Sequence, residues 1–310
     1  MISDLFTVTV LIGILSSGIR LATPYLYASI GETFGQRSGV LNLGVEGQML
    51  LGAFSAFYVA RTTGNLWFGV LAAMFVGAVM GLAMAFVTVN LHAQQGISGI
   101  GFYIFGLGMS DLLFQKLLRT VETVQGFPKI HIAVLSDIPG IGEIFFRQNL
   151  LVYGAYLLVP LAWFVLNKTT LGLKIRSVGE NPDAADSLGV SVARVRYFTI
   201  ILGGTLSGIA GASLSIALLN VFQQNMTSGL GFIAVALVYF GAWRPWGVLG
   251  GALLFSMVNS LQLWIQVLGI PIPSEIAVMM PYVLTILVLV ITVSRVRAPS
   301  ALTKPFERED

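Results

Sequence analysis

The chain alternates long apolar runs with short charged stretches. No Asp, Glu, Lys or Arg occurs from Thr62 to Ser110, Gln148 to Asn167, Tyr197 to Trp243, Pro245 to Ser274 or Ile276 to Ser294. A helix needs about 20 apolar residues to cross the hydrocarbon core, and its backbone polar groups must be satisfied internally there. The alternating pattern of a membrane β-strand is absent. The pattern predicts an all-α, polytopic transmembrane helical bundle of about nine spans. These are segments 5–30, 40–60, 66–90, 97–115, 148–166, 197–219, 229–242, 246–267 and 276–294. The seventh is short and glycine-flanked, which fits a half-spanning, broken or re-entrant helix.

Composition agrees. Of the 310 residues, 56% are hydrophobic and 10% are charged, whereas a soluble domain carries about 25% charged residues. Too few charges remain to clothe a water-facing surface, which argues against a soluble enzyme or a nucleic-acid binder. The net charge of +3 reflects basic residues at membrane edges rather than a nucleic-acid polymer as partner. With the loop 167–196 placed in the cytoplasm, that side holds Arg37, Lys168, Lys174, Arg176, Arg194, Arg196, Arg244, Arg295, Arg297, Lys304 and Arg308. The other side holds Arg61, Lys116, Arg119, Lys129 and Arg147. This bias predicts an outside N terminus and a cytoplasmic C terminus. Met1–Asp4 carries no basic residue and the apolar run continues past Arg20. The first segment is therefore expected to be a retained helix rather than a cleaved signal.

Enzyme signatures are missing. No Lys directly follows Gly, so no phosphate-cradling GxxxxGK[ST] loop exists, and neither GxSxG nor HExxH occurs. The chain has no Cys, and its two His, His92 and His131, fall in loops predicted on opposite sides of the membrane. A metal site or a Ser/His catalytic pair is not expected.

Four polar features interrupt the apolar pattern. Ser38–Ala53 reads SGVLNLGVEGQMLLGA and sets Asn42, Glu46 and Gln48 at the start of an apolar helix. An ionisable residue at membrane depth faces protein or water. Glu46 therefore lines a solute path, pairs with a cation such as Arg37 or Arg20, or is hydrogen-bonded and pins a broken helix. Arg20, deep in the first segment, is read as snorkelling or paired with an acid. Gln223, Gln224, Asn225, Thr227 and Ser228 lead into the short Gly-bounded segment, as in an interrupted helix or an outer loop. The outer loop 116–147 has mixed charge and contains IPGIGEIFF, a turn with an amphipathic piece. Gly204, Gly208 and Gly211 are read as packing devices.

The loop 167–196 carries the clearest local signal. Asn181 and Pro182 suit a helix start, Asp183 and Asp186 complement its positive end, and Gly189 suits its termination. Ala184, Ala185 and Leu188 supply apolar contacts. The expected element is one short capped helix between two spans, either an ordinary interfacial loop or a dock for a cytosolic partner.

Three stretches resemble a known family over nearly the whole chain: 38–53, LGLKIRSVGENPDAADSLGVSVARVR at 171–196, and MTSGLGFIAVALVYFGAWRPWGVLGGALLF at 226–255. They are similar to inner-membrane permease subunits of bacterial ABC importers, in the superfamily serving ribose, branched-chain amino acids and nucleosides. The third stretch is most like the nucleoside or simple-sugar subgroup. Ribose-type permeases have an additional N-terminal helix, and this chain begins with what resembles their second.

The resemblance implies a single permease domain, 1–310, with no catalytic or metal site. Its coupling helix would comprise Glu180, Asn181, Pro182, Asp183, Ala184, Ala185, Asp186, Ser187, Leu188 and Gly189, inserted into a cytosolic ATPase. It implies a second permease subunit (a different, longer homologue), two ATPase subunits that bind ATP and Mg, an extracytoplasmic solute-binding protein and surrounding membrane lipid. No cofactor is expected on this chain itself. On this reading a nucleoside-like solute passes Asn42, Glu46, Gln48 and Asn225. A simple sugar or a branched-chain amino acid is the alternative solute. An ion-coupled secondary transporter would need intramembrane carboxylates and an inverted repeat. Glu46 and Asp111 are its only candidates, and no clear repeat is visible. An intramembrane enzyme would need paired catalytic residues at membrane depth, and none appear.

Overall fold

The computed structural model describes residues 7–133, 135–270, 273–292 and 297–307. Leu5, Phe6, Val293, Ser294, Arg295 and Arg308, all within segments or counts used above, lie outside the described residues, as does Met1–Asp4.

The described residues form an all-helical bundle. Its helices are α1 (Val8–Arg37), α2 (Val45–Thr63), α3 (Leu66–Ala85), α4 (Gln95–Leu113), α5 (Leu150–Lys168), α6 (Thr170–Glu180), α7 (Pro182–Ser187), α8 (Val192–Ser213), α9 (Leu230–Phe240), α10 (Pro245–Val267) and α11 (Ser274–Thr292). Single π-helical turns extend α3, α4 and α8, to Asn90, Leu118 and Leu218. Each predicted apolar segment coincides with a helix. Six helices are long and apolar enough to cross a membrane: α1, α3, α4, α5, α8 and α10, with α3, α4 and α8 counted to the ends of their π turns.

The bundle is built around α8. It packs against α1, α2 and α3, and 72% of its apolar stretch is buried, against 22% for the peripheral α4. Its small residues make this closeness physical. A Cβ on Gly208 would overlap the Ala73 carbonyl of α3, and one on Gly211 would overlap the Met49 carbonyl of α2. Backbone-to-backbone packing of this kind suits helices whose outer faces meet lipid, where no hydrophobic effect drives association. Leu71, Phe75, Ile104 and Leu157 point outward and are largely exposed. Polar contacts bind α1 to its neighbours: the Tyr27 hydroxyl donates to the Leu151 carbonyl (2.9 Å) and the Tyr156 hydroxyl to the Ile19 carbonyl (3.0 Å).

Several boundaries differ from expectation: α1 runs to Arg37 rather than residue 30, and α8 starts at Val192 rather than residue 197. The second helix begins at Val45 rather than residue 40. Gly39, with φ +91°, turns the chain sharply after α1, and residues 38–44 cross in irregular conformation. The loop 167–196 holds two helices rather than one, because α6 fills its first half. Thr169 caps α6 by accepting from the Gly172 amide at 3.1 Å, and its buried face carries Ile175 and Val178.

The segment 116–147 covers the opposite end of the bundle from α6 and α7. Its IPGIGEIFF piece becomes a turn and a π-helical turn at Gly142–Phe146. Arg61 of α2 pairs with Glu122 at 2.6 Å. His131 lies there beside Asp137 (3.1 Å), while His92 contacts the Phe306 carbonyl at the other end.

Candidate solute path and coupling arm

Glu46 sits where two helices begin. It is in the first turn of α2, and its carboxylate reaches the start of α9. Oε1 accepts from Thr227 Oγ1 (2.6 Å) and the Gly229 amide (2.7 Å), and Oε2 accepts from the Gly231 amide (2.6 Å). Helix N termini carry unpaired amides and partial positive charge, so a carboxylate between two of them is doubly favoured. Gly231 is small by necessity, since a Cβ there would lie 2.6 Å from the Glu46 backbone. Pairing of Glu46 with Arg37 or Arg20 is corrected by this geometry: backbone amides and a hydroxyl supply its partners. Among the described residues Arg20 likewise has no carboxylate in ion-pair reach, and its Nε is buried without a partner.

The depth of Glu46 follows from α9. That helix has 11 residues, about 16 Å at 1.5 Å per residue, or roughly half the hydrocarbon core. It starts at Glu46 and ends beside Trp243, whose carbonyl accepts from Arg37 Nε at the end of α1 (3.0 Å). Left-handed Ala242 and Trp243 stop it there.

Asn42 and Gln48 are buried with Glu46. Asn42 Oδ1 accepts from the Gly44 amide (2.9 Å), its amide donates to Glu32 Oε1 (3.0 Å), and Nδ2 donates to Gln48 Oε1 (3.2 Å). The first bond is an Asx turn leading into α2. Gln95 Oε1 accepts from the Leu41 amide (2.8 Å), and Gln36 Oε1 accepts from Trp243 Nε1 (2.7 Å). An irregular chain at membrane depth is tolerated when protein satisfies it, and Glu32, Asn42 and Gln95 do so for amides within 38–44. Asn225, with Gln223 and Gln224, is exposed on the approach to α9, so the structure does not bring it into the buried group. Beside that group, Tyr103 of α4 and Phe232 of α9 form an edge-to-face pair, centroids 5.1 Å apart, with Phe232 37% exposed. Neither aromatic stood out in the sequence, since both lie inside apolar runs.

The arm is a helical elbow. Asn181 Oδ1 accepts from the Ala184 amide (3.0 Å), Pro182 opens α7, and Gly189 closes it at φ +83°. Ala185 is buried against the core, while Asn181, Asp183, Ala184, Ser187, Leu188 and Gly189 are exposed, and Pro182 and Asp186 are partly covered. Leu188 is 84% exposed, an apolar side chain held out at the tip. Glu180 accepts from the Ser300 hydroxyl at 3.2 Å. The segment around Ala301 fastens the elbow: the Ala301 amide donates to the Gly179 carbonyl (2.9 Å), and the Thr303 amide donates to the Gly39 carbonyl (3.1 Å).

A multi-pass helical bundle with a half-length helix capped at membrane depth, and an exposed helical elbow at one end, is the design of a transport subunit. The comparisons give the family. Residues 14–289 match the branched-chain amino acid transport system / permease component family, and the chain belongs to it. It is similar to the putative glucose ABC transporter permease protein TsgC13 of Haloferax volcanii, 38% identical, with 96% of this chain and 98% of that one covered. It is also similar to the guanosine ABC transporter permease protein NupQ of Bacillus subtilis (37%, covering 92% and 93%). The nucleoside ABC transporter permease protein NupC of Lactococcus lactis is 36% identical, with 93% and 94% covered. No solved structure matches the chain. The protein is thus an ABC permease subunit, a transport component rather than an enzyme, and ATPase activity belongs to separate subunits.

Proposed function

We propose that this chain is one of two permease subunits of an ATP-driven importer in a bacterial inner membrane, and that it moves a neutral, nucleoside-like solute. Relatives named for guanosine, nucleoside and glucose support the solute class. The observation that sets that class apart from a branched-chain amino acid is Glu46. A half-helix N terminus at membrane depth is a ready site for a solute carboxylate. Here Glu46 already occupies the start of α9, so a second carboxylate from a branched-chain amino acid would meet like charge. A neutral nucleoside or sugar has no such conflict. The Tyr103–Phe232 pair, with Tyr103 half-buried and Phe232 exposed, gives a nucleobase a stacking surface. That favours a nucleoside over a sugar.

In this mechanism the solute passes between two permeases along the face holding Asn225, with Glu46, Asn42 and Gln48 fixing its shape from behind. The partner permease is a longer homologue. Residues Glu180–Gly189 dock into a cytosolic ATPase, which carries ATP and Mg, and a binding protein delivers solute to the side of loop 116–147. About nine spans, with the N terminus outside and the C terminus in the cytoplasm, complete the topology. ATP-driven closure moves the arm because the ATPase and the solute favour different pore states.

The test is uptake by the complex of this chain with its genomic neighbours in proteoliposomes. The binding protein is supplied with guanosine, glucose or leucine in parallel. Guanosine uptake, weakened about tenfold by Phe232→Ala, is the expected result. Leucine uptake would overturn the neutral-solute argument, and glucose uptake untouched by Phe232→Ala would reassign the solute.

A further inference from the structure

The end of the bundle that carries the elbow also holds a cavity of about 900 Å³. Three arginines line it: Arg37 at the end of α1, Arg176 on α6 and Arg244 just before α10. Two are partly anchored, Arg37 Nε on the Trp243 carbonyl (3.0 Å) and Arg176 Nε on the Gly172 carbonyl (3.4 Å). Among the described residues none of the three has a carboxylate within ion-pair distance. Arg176 and Arg244 both repel Arg37, and among the described residues Glu180 attracts it. Three cations facing one cavity without an acid in contact repel one another, and an anion relieves that repulsion. The first turn of α10, with Pro245 at its start, adds its positive end.

The rest of the lining tells which anion. Trp163 and Trp246 flank the cavity, 37% and 51% exposed. Indoles at the ends of membrane helices sit at headgroup level. Leu166 and Phe240 give an apolar wall, and Lys168 lies over the Trp163 ring at 5.8 Å. A soluble anion needs no such wall, whereas a lipid phosphate comes with a glycerol and acyl chains to cover it. We propose that this cavity binds the phosphodiester headgroup of an anionic phospholipid. Arg37, Arg176 and Arg244 hold the phosphate, and Trp163 and Trp246 flank the glycerol. The phosphate then braces α6, the first half of the elbow, against α1 and α10. The inference rests on the chain spanning a membrane and is independent of its solute.

The test is native mass spectrometry of the detergent-purified full chain, titrated with phosphatidylglycerol, phosphatidylcholine or inorganic phosphate. Phosphatidylglycerol should be retained in preference to phosphatidylcholine. Arg244→Gln and Arg176→Gln should each weaken its retention about fivefold, while Arg61→Gln, at the opposite end, should leave it unchanged. Size-exclusion profiles confirm that the variants fold. In the unmutated chain, a photoactivatable phosphatidylglycerol should crosslink to peptides containing Trp163 or Trp246, which needs no variant at all. Equal retention of the two lipids, crosslinks only elsewhere, or unweakened binding in both folded variants would overturn the proposal. Displacement of phosphatidylglycerol by inorganic phosphate at comparable concentration would overturn the lipid as the source of the phosphate.

Discussion

The Glu46 junction and the α6–α7 elbow both present polar residues in an apolar protein, yet they are built in opposite ways. At the junction the carboxylate's hydrogen-bond partners Thr227, Gly229 and Gly231 lie more than 180 positions away in sequence, and the group is almost wholly buried (1% exposed). At the elbow the cap, the opening proline and the closing glycine fall within nine residues, 181–189, and most side chains face outward. Buried polar groups satisfied from afar fix one arrangement of helices. Exposed ones closed by local bonds make a rigid shape whose surface is free for a partner. The bundle is therefore expected to lose stability when the first region is changed and function when the second is.

The largest effect should come from Glu46→Ala. It strands the Gly229 and Gly231 amides and the Thr227 hydroxyl, and unpaired buried donors cost about 1–3 kcal/mol each. A loss of about 3 kcal/mol is expected in a reversible unfolding titration in mixed micelles. Glu46→Gln keeps one carbonyl acceptor but sets an amide donor against one of the α9 amides, so a loss of about 2 kcal/mol is expected. If both variants unfold with the unmutated chain, the junction does not fix α2 against α9.

Asn181→Ala should act more weakly and locally. It removes one side-chain cap from a six-residue helix, worth about 1 kcal/mol. Hydrogen exchange at Ala184 should quicken about fivefold while exchange in α9 stays unchanged. Faster exchange in both helices would mean that elbow and junction form one cooperative unit, and the contrast between them would fail.

The same contrast explains what was legible in the sequence. The α7 helix could be read because its signals are neighbours. The α6 helix carried a readable signal too, since Leu171, Ile175 and Val178 recur at helical spacing, but the basic residues among them gave the stretch the look of a loop. The start of α2 was misplaced because Val40, Leu41 and Leu43 are apolar. Their helical tendency is overridden by bonds from Gln95 and Glu32, one of them 54 residues away. Asn42, Glu46 and Gln48 stand out as polar residues at depth, but the partners of Glu46 cannot be read, because Thr227 and Gly231 adjoin it only once α2 and α9 have packed. The C-terminal contacts of Ala301 and Thr303 are backbone bonds, which no side-chain pattern announces.

The smallest effect on stability, and the sharpest test of the elbow, should come from Leu188→Ser. Leu188 is 84% exposed and lies at the tip of α7, so its removal from water on folding contributes almost nothing. A change within about 0.5 kcal/mol is expected. An exposed leucine held on a capped helix is what an apolar groove on a partner would take. Solute-stimulated ATPase of the assembled complex should therefore fall about tenfold, the scale of one interface anchor lost. Assembly at high subunit concentration should rescue it. The rescue separates a weakened dock from a broken signal: ATPase that stays low with all subunits bound would place the defect in transmission through α6 and the bundle. Unchanged stimulation would remove Leu188 from the contact and shift the interface to the exposed polar side of α7.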